Sequence, residues 1–428
     1  MSQWLIRPGS IHGTLAIPSS KSHTLRALTF ALMAKGVSHI RGYLHSPDTR
    51  AMIQALRHLG AVVDVFPDHL AVDGTGGKLQ PAEDVIDCGN SGQVLRFIGA
   101  LAALLPSYTI LTGDPSIRHN RPVRPLLDGL SQLGAFAVSA RGDGFAPIIL
   151  RGPLTRAEAR LPGADSQPVS GLIIAGCFAP HPTVIRVEDP GETPWIELTL
   201  RWLEKFKLPY ANERFERYAL QGGARINAFD YTVPGDFSSA AFPIAAALLT
   251  DSELTIHPID MDDPQGDKAI IPILQKMGAH FHIDHAKKTL TVKKGSSLRG
   301  MKIDCNAFID ALPILAVIGC FAEGTTVLCN AEIARKKESD RIRCIATELK
   351  KMGADIEEKS DGLVIHKSDL KGTTLESHHD HRIALSLAVA AFAASGQTAI
   401  HGTEAAKKTY PNFVPDFAAL GAHILETP

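Results

Sequence analysis

The sequence predicts an α/β protein built from six copies of one unit. Three observations lead there: a phrase recurs, its spacing divides the length evenly, and each copy passes from helical to strand periodicity. The phrase is an amphipathic helix pattern, then Leu or Met before Gly-Ala, then an alternating run. It stands as ALRHLGAVVDV from Ala55, GLSQLGAFAVS from Gly129, ILQKMGAHFHI from Ile273, ELKKMGADIEE from Glu348 and FAALGAHILE from Phe417. A weaker copy, LRWLEKFKLPY from Leu200, has Lys207 where the others have Gly. The marker positions Gly60, Gly134, Lys207, Gly278, Gly353 and Gly421 lie 68–75 residues apart. Six units in 428 residues average about 71.

Within a unit, apolar residues at three- and four-residue spacing make the helix. The Gly fits the left-handed residue that ends a helix before the chain turns into a strand. The short alternations that follow read as strands. One unit of this size buries too little apolar surface to stand alone, so the units share cores. Six units pack either as one ring or as two groups of three. Pro18-Ser19-Ser20 and Val233-Pro234-Gly235-Asp236 mark where the chain would cross between groups. That division places residues 20–234 in one lobe, and residues 1–19 with 235–428 in the other.

Composition narrows the function classes. The chain is 45% hydrophobic and 21% charged, and 44 Lys+Arg against 45 Asp+Glu leave a net charge of −1. A neutral chain has no global pull towards nucleic acid or an anionic membrane, so anion binding has to come from a local cluster. The apolar run Ala311–Ala322 is too short to span a bilayer and contains Pro313. Arg7-Pro8-Gly9 interrupts the start before a signal-peptide core can form. Six Cys without a C-x-x-C pair read as reduced thiols of a cytoplasmic protein.

Several loop-like segments set cations beside small residues: Ser19–Arg26, Gly89–Arg96, Arg118–Arg124, Arg335–Arg341, His378–Arg382 and Ala406–Lys408. Hydroxyls such as those of Ser19-Ser20-Lys21-Ser22 can cap a helix while its N–H groups face an anion. Taken together the segments suggest an anion site assembled from both halves of the chain. Competing motifs fail. Gly77-Lys78 is followed by Leu79, with Val72 where a P-loop needs Gly. His378-His379-Asp380-His381 lacks any companion metal-ligand spacing, and Asp380 and His381 are expected to orient Arg382. From spacing alone, Asp310 reads as a helix cap and Glu338 as surface pairing, although a carboxylate among cations can also move protons.

In order along nearly the whole chain, PSSKSHTLRAL, CGNSGQVLRF, NRPVRPLLDGL, DSQPVSGLI, VPGDFSSAAF, QGDKA, FIDALP, KKESDRI, HDHRIAL and KKTYPNF resemble the 5-enolpyruvylshikimate-3-phosphate synthase family. The resemblance implies an enolpyruvyl transferase fold: a two-lobed inside-out α/β barrel of six βαβαββ repeats, three per lobe, hinged to close over substrates. It implies transfer of the carboxyvinyl group of phosphoenolpyruvate to the 5-hydroxyl of shikimate 3-phosphate by addition and elimination. No cofactor, metal, nucleic-acid or membrane partner is implied, and a monomer is expected.

Carried over residue by residue, the resemblance assigns phosphoenolpyruvate to Lys21, Gly92, Arg121, Gln167, Arg341, Arg382 and Lys408. Arginines suit a carboxylate held by two bonds, and lysines suit phosphate. It assigns shikimate 3-phosphate to Lys21, Ser22, Arg26, Ser166, Gln167, Asp310 and Lys337. Asp310 is the implied base for the 5-hydroxyl and Glu338 the implied donor to the methylene carbon, with Lys21 sharing the proton transfers. An open Gly92 also implies sensitivity to glyphosate.

This chain departs from the family pattern at Asp165 and Glu192, where serines that hold the acceptor phosphate are usual, and at Ile333, where Asn is usual. Two unit charges at ~4 Å repel by about 4 kcal/mol at an effective dielectric of 20. Either the two carboxylates turn aside or pair with a nearby Arg, or the acceptor is a different, unphosphorylated alcohol. A non-catalytic binding module is the third reading, against which the intact set Lys21, Asp310, Glu338, Arg341 and Arg382 argues.

Overall fold

The computed structural model describes residues 2–427, which form two compact units. One runs from Ser19 to Val233; the other combines the chain up to Pro18 with everything from Pro234 onward. Each has its own hydrophobic core.

The described residues form six sheets, three per unit, and all follow one plan: a parallel pair, then two antiparallel pairings. The unit around the weakest sequence repeat shows it clearly. Strand Glu158–Pro162 leads into helix Ser166–Phe178 and parallel strand Thr183–Glu188; helix Thr193–Lys205 then precedes the hairpin of Tyr210–Glu213 and Arg217–Leu220. This is the βαβαββ order. Every marker residue takes the left-handed conformation expected of it: Gly60, Gly134, Gly278, Gly353 and Gly421 have φ between 94° and 110°, and Lys207 has 53°. The turn geometry is therefore kept even where the glycine is lost, at the cost an L-residue carries there.

Three of the sheets borrow a strand from a distant part of the chain. Gly13–Ala16 pairs parallel to Leu254–His257, and Gln3–Arg7 lies antiparallel between Thr398–His401 and His423–Thr427. In the Ser19–Val233 unit, Ile226–Asn227 and Asp230–Thr232 return beside Ala34–Arg41. The periodic pattern carries no trace of these exchanges, because a strand's alternation reports which face is buried and not which neighbour it pairs with.

The helices sort into two kinds. Those ending at the marker residues, such as Pro47–His58 and Arg341–Lys351, bury one face. Their companions, Lys21–Met33, Gly92–Ala102 and Ser166–Phe178 in one unit, and Phe237–Leu249, Leu312–Phe321 and His381–Ala393 in the other, are buried nearly all round. Such helices belong to the centre of a core. Close approach is enforced at Gly171, where a Cβ would stand 2.8 Å from the Arg96 carbonyl oxygen. Five of these six helices begin at a capping side chain: Ser20, Ser91, Asp165, Asp236 and Asp380. Their N-termini are thus ordered and carry the partial positive charge that draws anions.

No helix among the described residues is long and apolar enough to cross a membrane. All six cysteines are free thiols. Among the described residues no group of three or more His, Cys, Asp or Glu is arranged to hold a metal ion.

Candidate active site

In the unit that ends at Val233, the expected residues gather at helix N-termini. A Cβ on Gly92 would lie 2.8 Å from Arg121 Nη1, 2.9 Å from Gln167 Oε1 and 3.0 Å from Arg96 Nη1, so only a glycine leaves these three polar ends undisturbed. Lys21, the first residue of its helix, sits 3.7 Å from Asp48 Oδ2. Arg26 lies inside the unit at 1% exposure. Its Nε donates to Thr199 Oγ1 (2.9 Å), Nη2 to the Trp195 carbonyl (2.8 Å) and Nη1 to the Ser22 carbonyl (3.3 Å). Burial lowers its pKa to about 9, which still leaves it a cation at neutral pH.

The two unexpected carboxylates have partners. Asp165 caps helix Ser166–Phe178 by accepting from Gln167 N (3.1 Å), and its Oδ2 lies 3.5 Å from Arg96 Nη2. Glu192, 2% exposed and in a left-handed backbone conformation, accepts from both the N–H (3.0 Å) and the hydroxyl (3.1 Å) of Ser166. The chain thus places its own carboxylate at the start of this helix.

In the other unit a denser cluster forms around Arg341, 1% exposed at the start of helix Arg341–Lys351. Three carboxylates hold it: Nη1 donates to Asp310 Oδ1 (2.6 Å), Nη2 to Glu338 Oε2 (2.8 Å), and Nε to Asp380 Oδ2 (2.8 Å). Lys408 Nζ bonds the other Glu338 oxygen at 2.8 Å. Arg382 Nη2 reaches Asp310 Oδ2 at 3.2 Å, while its Nε and Nη1 are buried without a protein partner. A guanidinium buried with unused donors is costly unless something anionic completes it. Burial alone would raise the Asp310 carboxyl, but the guanidinium groups of Arg382 and Arg341 outweigh it and hold that carboxyl far below the ordinary range. Lys337 adds to the same pull.

Asp380 differs from its expected role. Its carboxylate braces the Arg341 side chain and accepts from Ser339 Oγ (3.0 Å), whereas towards Arg382 it only caps the backbone N–H (2.9 Å). Asp267, in the segment QGDKA, has an environment that its local sequence does not announce. It is fully buried, takes a hydrogen bond from Ser238 Oγ and is raised to about 7, by burial first and then by the Asp310 carboxylate, against the pull of Arg382. No local signal separates it from an ordinary exposed Asp, because both effects come from residues distant in sequence.

Asp267 gives a stability prediction with a definite sign. An acid whose pKa is raised on folding stabilises the fold while protonated, and that contribution is lost as pH rises from its unfolded value through about 7. Asp267→Asn, neutral throughout, is expected to stabilise the protein at pH 8, with a ceiling of about 4 kcal/mol, and to change little at pH 4. Urea midpoints at the two pH values check this; equal effects at both would refute it.

Residues 6–417 match the family described as EPSP synthase (3-phosphoshikimate 1-carboxyvinyltransferase). Relatives named 3-phosphoshikimate 1-carboxyvinyltransferase include one from Acetivibrio thermocellus, 42% identical with 98% of each chain covered. Another, from Chlamydia pneumoniae, is also 42% identical, covering 100% of this chain and 95% of its own. The solved EPSP synthase from Acinetobacter baumannii superposes with a TM-score of 0.83 at 29% identity, each chain covered in full. With six βαβαββ sheets, a family match over almost its whole length and relatives this similar, the chain belongs to the EPSP synthase family.

Proposed function

We propose that the protein transfers the carboxyvinyl group of phosphoenolpyruvate to the 5-hydroxyl of shikimate 3-phosphate, releasing phosphate. The observation that carries this reading is the buried Arg382: its Nη2 bonds Asp310, the carboxylate that Arg341 also holds, while its Nε and Nη1 lack a protein partner, as a site for a substrate anion requires. Lys21, Gly92, Arg121 and Gln167 in one unit, and Arg341, Arg382 and Lys408 in the other, are the groups we assign to phosphoenolpyruvate. Lys21, Ser22, Arg26, Ser166, Gln167, Asp310 and Lys337 are assigned to the acceptor.

The electrostatics order the steps. Asp310 is a weak base while Arg341 and Arg382 hold it. A phosphoenolpyruvate carboxylate that takes up those guanidinium groups weakens their pull and makes Asp310 a stronger base. The acceptor hydroxyl is then deprotonated only when the donor is in place. Its oxygen attacks C2 of phosphoenolpyruvate as Glu338 takes a proton from the Lys408 ammonium bonded to its Oε1 and passes that proton to the methylene carbon, while Arg341 holds its other oxygen. Elimination reverses the proton movement: the new methyl group gives up a proton, the C–O bond to phosphate breaks, and the enol ether remains. We propose that the two compact units act as the lobes of a cytoplasmic monomer, in keeping with six free thiols.

Phosphate release with phosphoenolpyruvate and either shikimate 3-phosphate or shikimate tests the assignment. Turnover with the phosphorylated acceptor is expected. Turnover with shikimate alone would replace this reading, and none with either would remove it.

Glu192 bears on acceptor affinity. If Ser166 contacts the acceptor phosphate, the Glu192 carboxylate has to yield both bonds it takes from that residue. Glu192→Ser is therefore expected to lower the KM for shikimate 3-phosphate about tenfold or more, as one repelling charge is removed, and to leave the KM for phosphoenolpyruvate unchanged. Steady-state kinetics check it; an unchanged or higher acceptor KM would show that Glu192 does not oppose acceptor binding.

A further inference from the structure

We propose that His378 is a positioning residue: paired with Glu348, it clamps the turn Ser377–Asp380 and so sets the placement of Arg341 and Arg382. The inference rests on the reading above that these two arginines hold the carboxylate of phosphoenolpyruvate.

His378 and His379 have φ of 52° and 55°, two consecutive left-handed residues of which neither is glycine. Each is disfavoured for an L-residue, and such a pair persists only where the surroundings over-determine it. The surroundings do so here. His378 Nε2 bonds Glu348 Oε1 at 2.7 Å, and the Glu348 side chain is fully buried. Both oxygens of that carboxylate also accept from Lys351 Nζ (2.9 and 2.8 Å), and Oε2 takes the Glu376 N–H (3.0 Å). On the other side, Ser377 Oγ donates to the Gly402 carbonyl (2.7 Å) and accepts from His379 N (3.2 Å), while Asp380 N donates to the Ser377 carbonyl (3.0 Å).

What the strained turn delivers is Asp380. Its carboxylate meets the Arg341 guanidinium at Nε (2.8 Å) and Nη2 (3.3 Å) and caps the helix whose second residue is Arg382. Arg341 begins helix Arg341–Lys351, and Glu348 lies two turns along that same helix. The turn is therefore fastened to one helix at two points, Asp380 to Arg341 and His378 to Glu348. Two fixings set direction as well as distance, which one ion pair alone does not. The Cys344 thiol and the Glu348 carboxylate raise His378 to about 10, so the pair carries opposite charges at neutral pH.

Three variants at one position separate charge from strain. His378→Gly relieves the backbone and removes the cation; His378→Asn accepts the left-handed conformation and also removes it; His378→Arg keeps a cation able to bond the carboxylate. If the clamp positions the arginines, Gly and Asn raise the KM for phosphoenolpyruvate about tenfold, since a small misplacement of binding groups is expensive. The KM for the acceptor then stays within about twofold, and Arg recovers most of the loss. Glu348→Gln, which keeps the shape, shifts the same KM in the same direction. Amide hydrogen exchange on the unliganded protein gives a second readout, with faster exchange across Asp380–Arg382 expected in the Gly and Asn variants. Unchanged exchange overturns the clamp. Faster exchange with an unchanged KM for phosphoenolpyruvate overturns the positioning role. Because exchange needs no substrate, a parent protein without carboxyvinyl transfer would sink the functional reading and leave the clamp still decided.

Discussion

Asp310→Asn is expected to lower kcat about a thousandfold while leaving the KM for phosphoenolpyruvate unchanged or lower. Loss of a positioned general base typically costs 10²–10⁴ in rate. The direction of the KM change comes from the same geometry. Asp310 bonds Arg341 at 2.6 Å and Arg382 at 3.2 Å, so in the free protein it competes for the guanidinium groups assigned to the substrate carboxylate. Asn cannot hold them as strongly, and an anionic ligand then meets less competition. A residue that merely bound phosphoenolpyruvate would do the opposite, raising KM at a steady kcat. Steady-state kinetics with each substrate varied in turn separates the two. A kcat within threefold of the parent would remove Asp310 from the chemistry.

Asp380→Ala is expected to destabilise the fold by about 3–5 kcal/mol, the usual consequence of removing one partner from a buried ion pair. Asp380 is fully buried, and Ser339 Oγ and the Arg382 N–H lose their acceptor along with Arg341 Nε. Asp380→Asn keeps an oxygen for the helix cap and is expected to recover about 1 kcal/mol of that loss. Urea denaturation of the three proteins measures both differences. An Ala variant within about 1 kcal/mol of the parent would mean that Asp310 and Glu338 satisfy Arg341 by themselves.

Much of this was legible in the residues. The six marker positions announced six units, and they did so through a backbone requirement strong enough to leave Lys207 at φ 53° where glycine is absent. Asp310, Glu338, Arg341, Arg382 and Lys408, dispersed over about a hundred residues of chain, meet in one hydrogen-bonded cluster. The role of Asp380 was less accessible. A carboxylate two residues before an arginine suggests service to that arginine, yet its side chain goes to Arg341, thirty-nine residues away in sequence. The same limit hid His378, whose partner Glu348 lies in a helix thirty residues earlier.

The sequence by itself determined the repeat, the family and the residue types at the site. These depend on local periodicity, on turns that demand a left-handed residue, and on motifs a few residues long. Tertiary structure decided which strands complete each sheet, with Gln3–Arg7 seated beside His423–Thr427, and which acid answers which base. It also turned Glu192 onto Ser166 and raised the Asp267 carboxyl to about 7 by burying it near Asp310. Strand pairing, burial and charge–charge distance are properties of neighbours in space, and folding alone selects those neighbours.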